Sequence, residues 1–174
     1  SSDIQKVMKQ FEKRYKCFEF IGPSPIDFYK TDSYDEGKRV WPELYDFNVD
    51  KNIRNNKFKI GIIFNLDEHT ESGSHWVALF LNLRKKKLYF FDSVKTSSTN
   101  KEPPEIKKLV NCIVTQGEKL NIKIDYELND KIVHQRKNTE CGVYCLFFII
   151  NMLQETLTWN DIMSKRITDD DVHK

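Results

Sequence analysis

The sequence lacks the features that mark several classes of protein. Its 28 Lys and Arg nearly balance 26 Asp and Glu, and the net charge of +2 does not demand a nucleic-acid or membrane partner. The longest apolar candidate, residues 143–153, is too short to span a bilayer, which takes ~20 residues, and the N-terminus has no signal-peptide pattern. We therefore expect a soluble, intracellular protein.

Cysteine is also scarce, and its spacing argues against two further classes. The cysteines form no CxxC pair and no closely spaced Cys/His cluster of the zinc type. We therefore expect free thiols in a reducing compartment, and no feature of the sequence indicates a metal or a cofactor. The four cysteines are Cys17, Cys112, Cys141 and Cys145.

The length of 174 residues fits one domain with a single hydrophobic core. No internal repeat or low-complexity tract divides the chain. Within this domain we distinguish a helical and loop-rich N-terminal region (1–57), a core region (58–153) and a helical C-terminal tail (154–174). The tail ends in sequence typical of the first turns of a helix, so the natural chain could continue.

Hydrophobic periodicity predicts both strands and helices. Apolar residues at every second position predict strands at 58–64 and near 122–126, and a further short strand is expected at 17–21. Two apolar runs, 76–83 and 87–91, predict an antiparallel hairpin. The predicted fold class is α+β, with a central, mostly antiparallel sheet flanked by helices. Helices are predicted over 3–15, from Pro104 onward, over 142–153 and within the tail from Trp159.

The most informative segment places Gln135 six residues before Cys141, which begins an apolar stretch. A thiol is a strong nucleophile only as a thiolate, and a helix N-terminus lowers its pKa because unpaired N–H groups face the sulfur. Residues 141–153 carry no charge, so we expect their helix to be apolar all round and to run through the centre of the domain. Cys141 is therefore a candidate nucleophile on a rigid support.

A nucleophilic cysteine also needs a base and a residue that orients the base. His75 precedes the first strand of the predicted hairpin and Asp92 follows the second, so both fall near one edge of the sheet, with the register left open. His75 would take the thiol proton, Asp92 would hold the imidazole, and Gln135 would donate to the oxyanion. Asp67 or Glu71 is the next candidate acid if Asp92 does not serve.

Each candidate also has an ordinary structural interpretation. Cys141 could be a small core residue, which is the role that we expect for Cys112 and Cys145. His75 could be an exposed loop residue, and Gln135 a solvated one. The chance that His, Asp, Gln and Cys occur together in the order of a known protease site, described next, is low, and this favours the catalytic interpretation.

These residues and their neighbours resemble a known group of proteases. The order is that of the cysteine-protease clan that contains the SUMO-specific proteases and the adenovirus endopeptidase, and the likeness spans roughly residues 60–153. It implies the fold of that clan, and it implies that Trp76 binds substrate over a narrow groove, which is compatible with a place in the core. The motifs that carry the resemblance are His75-Trp76, Asp92-Ser93, Gln135 and Cys141-Gly142.

Within the clan, residues 73–77, 138–144 and 167–169 are most similar to the proteases of large cytoplasmic DNA viruses. This implies cleavage of virion structural precursors after small residues, commonly Gly-Gly, in the host cytoplasm or the virion. We expect a monomer whose partner is its protein substrate. Many cellular SUMO proteases have Asp before the nucleophile, whereas this chain has Glu140, which slightly favours the viral branch.

Three other functions stay open. A deSUMOylating or deubiquitinating isopeptidase in the cytoplasm or nucleus would use the same four residues. Bacterial effector acetyltransferases share the clan architecture, but they typically have Glu in place of Asp92 and need an acyl-CoA site that the sequence does not show. An inactive relative that only holds a ubiquitin-like tail is disfavoured because Cys141, His75 and Asp92 are all present.

Overall fold

Five strands form the sheet: β1 (Phe18–Pro25), β2 (Lys59–Asn65), β3 (Trp76–Asn82), β4 (Lys87–Phe91) and β5 (Asp125–Leu128). The structure is a computed structural model, and it describes residues 2–31, 38–66, 75–94, 102–129, 133–135 and 141–173. The strands lie side by side in chain order. The inner strands β2, β3 and β4 pair antiparallel, whereas β1 and β5 pair parallel with their neighbours. The predicted α+β class, a central sheet flanked by helices, is confirmed. In the described residues two of the four strand pairings are antiparallel and two are parallel, so the sheet is mixed where a mostly antiparallel one was expected.

Helices cover both faces of this sheet. The larger ones are α1 (Ser2–Arg14), α4 (Pro104–Lys119) and α5 (Cys141–Gln154). The shorter ones are α2 (Pro42–Tyr45), α3 (Val49–Arg54) and α6 (Trp159–Ser164), followed by a single turn of 3₁₀ helix, Asp171–His173. None of the helices in the described part of the chain is long and apolar enough to cross a membrane.

The two faces of the sheet belong to two apolar cores. One core contains buried residues of α4, and the other contains those of α1, α5 and α6. Successive residues of β2 alternate between them, since Ile62 belongs to the first core and Ile63 to the second. α5 approaches β2 closely at Gly61, where an added Cβ would lie 2.8 Å from a methyl carbon of Ile149. A larger residue there would force the helix away from the sheet.

The β3–β4 hairpin is confirmed, and its register decides where the candidate base and acid lie. Ala78 lies opposite Phe91, so Asp92, the next residue after β4, lies opposite Val77. His75 is then the diagonal neighbour of Asp92, two positions further along the partner strand. Side chains in this diagonal relationship are close enough to interact when one of them is long.

α5 is the buried helix that the sequence predicts. It starts at Cys141, and no side chain before its last residue is exposed. A helix that is apolar on all sides is stable only when it is enclosed, and here the sheet lies on one side with α1 and α6 adjacent. Its buried residues are Cys141, Tyr144, Cys145, Phe148, Ile149, Met152 and Leu153.

Two sequence predictions are wrong in detail. Cys145 is buried as expected, but Cys112 is exposed, because it lies outside the buried stripe of α4. The strand expected near 122–126 is displaced towards the C-terminus and begins only at Asp125. Ile124 packs against α4 at Gly117 before the strand starts. The apolar alternation over residues 122–126 therefore reflects the burial of a loop as well as the start of a strand.

Candidate active site

The candidate base and acid lie side by side at one edge of the sheet. Nε2 of His75, directly before β3, is 3.1 Å from Oδ1 of Asp92, directly after β4. The same carboxylate oxygen accepts the main-chain N–H of Val94 at 3.1 Å. The Asp92 side chain is 2% exposed, whereas that of His75 is 28% exposed. The acid is therefore fixed in a dry position and the base remains accessible.

Asn129 holds the main chain of Asp92 in place. Its Oδ1 accepts the N–H of Asp92 at 2.8 Å, and its Nδ2 donates to the carbonyl oxygen of Asp92 at 2.8 Å. Asn129 directly follows β5, is buried, and its N–H donates to the carbonyl oxygen of Phe90. The end of β5 thus fixes the end of β4 through one amide side chain.

Cys141 completes a hydrogen-bonded chain. Its sulfur is hydrogen-bonded to the side chain of His75 and to the main-chain N–H groups of Trp76 and Gly142. Burial alone would raise the pKa of the thiol, but these hydrogen bonds and the positive charge of His75 outweigh it and leave the pKa below its ordinary value. Cys141, the candidate nucleophile, lies at the N-terminus of α5, where the sequence predicts it.

His75 has the opposite shift. Its hydrogen bond to Asp92, followed by that to Cys141, raises its pKa to about 9, although burial opposes the change. A lowered thiol pKa and a raised imidazole pKa together favour a thiolate beside an imidazolium at neutral pH. This proton transfer is what a cysteine nucleophile needs from its base.

Gln135 is held by Ser93, the residue after the candidate acid. The hydroxyl of Ser93 donates to Oε1 of Gln135 at 2.6 Å, and the carbonyl oxygen of Ser93 accepts the N–H of Gln135 at 2.8 Å. Both side chains are buried. Because the oxygen end of the amide is bound to Ser93, the NH₂ end is directed away from it. This is the end that an oxyanion donor must present.

Trp76 lies beside the first turn of α5. An added Cβ at Gly142 would be 4.0 Å from the indole ring of Trp76 and 3.5 Å from Ile4 of α1. Both distances are ordinary contacts, so the space beside the nucleophile is bounded by an aromatic ring and by the N-terminal helix. Trp76 is half-buried and also packs against the core that contains α1, α5 and α6. A place in the core and a role in substrate binding are therefore compatible.

Comparison with known proteins places this arrangement in a family. The family model described as the Ulp1 protease family, C-terminal catalytic domain, matches residues 2–174. The chain belongs to the Ulp1 protease family. This match confirms the resemblance seen in the sequence. It also confirms the predicted type of enzyme, which is a cysteine protease.

Two viral relatives of this Ulp1-family chain are named as thiol or cysteine proteases. One, from Acanthamoeba polyphaga mimivirus, is 36% identical over 151 residues, which are 87% of this chain and 46% of that protein. The other, named a SUMO-1 cysteine protease, is from African swine fever virus (isolate Warthog/Namibia/Wart80/1980). It is 28% identical over 99% of this chain and 63% of its own length. The chain thus spans about half to two thirds of these relatives.

Solved structures of Ulp1-family proteases share the fold. The crystal structure of the African swine fever virus protease matches with a TM-score of 0.76 at 22% identity, over 98% of this chain and 62% of that one. The C-terminal Ulp1 protease domain, solved in complex with the yeast orthologue of SUMO, matches with a TM-score of 0.53 at 18% identity, over 92% and 69%. At these identities the likeness concerns the fold alone.

The described part of the candidate site contains residues that the sequence does not single out. Ser93 enters the sequence pattern only as the neighbour of Asp92, and Asn129 has no sequence signal, because each acts by holding a neighbour. Asp67, Glu71 and Glu140 lie outside the residues that the structure describes. Within the described ranges, no group of three or more His, Cys, Asp and Glu side chains could hold a metal ion.

Proposed function

We propose that this chain is the catalytic part of a viral cysteine endopeptidase. The observation that carries the proposal is the hydrogen-bonded chain from Asp92 through His75 to Cys141, which supplies an oriented base and an activated sulfur. The thiolate of Cys141 attacks the scissile carbonyl carbon. The imidazolium of His75 then protonates the leaving amine, and a thioester remains on the enzyme.

Hydrolysis of the thioester completes the cycle. Neutral His75 takes a proton from water, the hydroxide attacks the thioester carbonyl, and the acid product leaves as the thiolate and imidazolium are restored. In both steps negative charge develops on the carbonyl oxygen. The amide of Gln135 and the main-chain N–H of Cys141 at the start of α5 are the donors that we assign to that oxygen.

The proposed substrates are virion structural precursors with internal Gly-Gly-Xaa sites. Trp76 and Ile4 border Gly142, the residue next to the proposed nucleophile. From this position and from the family resemblance we infer a narrow groove beside Cys141, in which a Cβ just before the scissile bond would clash with the walls. The two relatives come from large DNA viruses, and both are named as proteases. We place the activity in the host cytoplasm or the virion, with the protein substrate as the only partner that the chemistry needs.

A deconjugating isopeptidase is the second candidate. The African swine fever virus relative is named a SUMO-1 cysteine protease, and the Ulp1 domain of similar fold was solved with a SUMO orthologue. The chemistry at Cys141 would be the same for an isopeptide bond. The difference lies in whether a folded ubiquitin-like surface is recognised in addition to a Gly-Gly tail.

The experiment compares four substrates on one purified chain. They are a precursor fragment with an internal Gly-Gly-Xaa site, the same fragment with Ala before the cut, a SUMO conjugate and a ubiquitin conjugate. We expect the highest kcat/KM on the first substrate, a marked loss with Ala, and no turnover by the Cys141→Ala variant, whose fold should be intact because little volume is removed. A higher kcat/KM on a conjugate would establish the isopeptidase instead, and activity of Cys141→Ala would refute both.

A further inference from the structure

The residue before Gln135 is tied to the C-terminal segment of the chain. His134 is fully buried, its ring centroid lies 5.7 Å from that of Phe91, and its Nδ1 accepts the main-chain N–H of Ile167 at 2.9 Å. This bond requires a neutral ring with the proton on Nε2. Burial lowers the pKa of His134 to about 4, against an opposing contribution from the main chain of Ile162, so the ring is neutral at physiological pH.

An imidazole at position 134 has an energetic cost, because it buries a polar nitrogen. Nε2 of His134 is buried and has no well-formed hydrogen bond within the described part of the chain, although the main chain of Ile162 lies close enough to favour the protonated ring. A phenyl ring of similar shape would pack against Phe91 without leaving a polar nitrogen unpaired. A phenyl ring would, however, have no acceptor for the N–H of Ile167, which Nδ1 of His134 provides. Core packing alone therefore does not explain the histidine.

The carbonyl oxygen of His134 is in contact with two further elements. Nε of Arg166 donates to it at 3.0 Å, and the hydroxyl of Tyr144 lies 3.1 Å from it. Tyr144 belongs to α5, one turn after Cys141. Its single hydroxyl proton is shared with two closer acceptors, the carbonyl oxygen of Ile167 and Oδ1 of Asp169, each at 2.9 Å. The helix that carries the nucleophile and the C-terminal segment therefore meet at His134.

The opposite side of the same dipeptide is bound to the end of β4. The carbonyl oxygen of Ser93 accepts the N–H of His134 at 3.0 Å and that of Gln135 at 2.8 Å. The main chain at 134–135 is thus held between Ser93 on one side and Tyr144 and Arg166 on the other. The side chain of Gln135 extends from a main chain that is held on both sides, so it has little freedom of position.

We infer that His134, Tyr144 and Arg166 are positioning residues, which place the amide of Gln135 at a fixed distance from Cys141. The inference rests on the proposed peptidase function, since it assigns the three residues to oxyanion stabilisation in that reaction. The attack of the thiolate needs this donor in place, because a displacement of about 1 Å can cost roughly a hundredfold in rate. The loss should therefore appear in kcat and leave KM nearly unchanged.

The most informative variant is Arg166→Met, because the side chain is only half-buried and its loss should not prevent folding. The matched control is Lys165→Met, which removes an exposed cation from the neighbouring residue. For cleavage of a Gly-Gly-Xaa peptide we expect Arg166→Met to lower kcat about tenfold. His134→Phe should lower it further, and His134→Asn should recover part of the loss because its Oδ1 can accept the N–H of Ile167.

Two readouts separate positioning from general destabilisation. Alkylation of Cys141 by iodoacetamide needs the thiolate but no oxyanion donor, so its rate should be unchanged in Arg166→Met. In a Gln135→Ala background the same substitution should change kcat by less than about twofold, because the donor that it positions is already gone. Affinity for a peptide aldehyde, which forms an oxyanion-like adduct with the thiol, should fall in parallel with kcat.

The outcomes distinguish failure of the inference from failure of the proposed function. If the unmodified chain cleaves no peptide although Cys141 is alkylated rapidly, the proposed function is wrong. If the unmodified chain cleaves the peptide and Arg166→Met matches Lys165→Met in kcat, the positioning role is refuted. Equal losses with and without Gln135 would also refute it, because they would indicate a structural effect.

Discussion

His75 combines solvent access with a strongly bound partner. Its ring is the most exposed side chain of the candidate set, while the carboxylate of Asp92 that holds it is almost fully buried. A buried carboxylate interacts strongly with a nearby cation, because little water competes with the ring for its oxygens. The arrangement stabilises the imidazolium and still lets the ring exchange protons with a substrate or with water.

The pH dependence of cleavage follows from this arrangement. The imidazolium must be present to protonate the leaving amine, so kcat/KM should fall as the pH rises through about 9, the pKa of His75. The hydrogen bond to Asp92 is the main cause of that raised pKa, so Asp92→Asn should move the basic limb to lower pH as well as reduce the rate. Profiles of peptide cleavage between pH 5 and 10 measure both effects.

Asp125→Asn is the matched control for that experiment. Asp125 is an exposed carboxylate at the opposite end of the sheet, paired with Lys87. Its loss should leave the basic limb unchanged. A basic limb that stays in place in Asp92→Asn would show that another group holds the imidazole.

At the residue scale, the sequence reveals the groups that carry charge and misses those that hold them. Cys141 and His75 stand out as candidates because a nucleophilic cysteine and a histidine base are rare residue types with a recognisable order. His134 and Asn129 do not, because an acceptor for a main-chain N–H has no sequence pattern of its own. Their roles depend on which segments meet in space, and residues 133–135 and 166–167 are distant in the chain.

At the scale of elements, one amide joins the ends of two strands. Asn129 closes the β4–β5 pair with two hydrogen bonds to the main chain of Asp92. The parallel pairing of β4 and β5 ends just before these residues, so the side chain extends the strand pairing by one further link. The position of the acid is therefore a property of the sheet edge.

Asn129→Ala should impair both stability and catalysis. The change leaves the N–H and the carbonyl oxygen of Asp92 without their partners in a buried place, which should lower the free energy of unfolding by about 2 kcal/mol or more. Release of Asp92 should also reduce kcat by at least about tenfold. Urea unfolding and peptide cleavage at a temperature where the variant is folded measure the two effects.

Asn160→Ala provides the comparison for this substitution, because Asn160 is an exposed asparagine on α6. It should behave as the unmodified chain in both assays. Loss of stability in Asn129→Ala without any change in kcat would show that the sheet edge keeps Asp92 in place by other contacts.

The predictability of the elements depended on how local their pattern was. The β3–β4 hairpin and α5 were clear, since each is a continuous apolar run with definite ends. The short β5 was misplaced because Ile124 is buried by α4 before the strand begins. The parallel pairing of β1 with β2 has no signal in either strand, since it depends on the path of the chain between them.

At the scale of the whole molecule, two histidines make folding stability depend on pH in opposite ways. His75 has a folded-state pKa of about 9, above the ordinary 6.5, so its contribution is complete below pH 6.5 and is lost as the pH rises through about 9. His134 has a folded-state pKa of about 4, so the unfolded chain takes up a proton that the folded chain refuses. Its effect is a loss of stability as the pH falls from about 6.5 to about 4.

Urea unfolding at a series of pH values tests this pair of effects. In His134→Phe the decline of stability between pH 6.5 and 4 should be shallower than in the unmodified chain, because the titrating group is gone. In His75→Gln the decline between pH 6.5 and 9 should be shallower instead. An acid slope that is equal in His134→Phe and the unmodified chain would mean that other groups cause the acid sensitivity.

The strand order has a consequence for the time course of assembly. His75 and Asp92 lie 17 residues apart and meet through one hairpin, whereas Cys141 comes from a later segment that must dock across the sheet. Contacts between residues close in sequence form with less loss of chain entropy, so we expect the base and its acid to come together before the sulfur arrives. Until that last docking step the thiol lacks His75 and the N–H of Trp76, two of the groups that lower its pKa. A newly made chain would therefore acquire an activated thiol, and with it proteolytic activity, only once α5 has docked against the sheet.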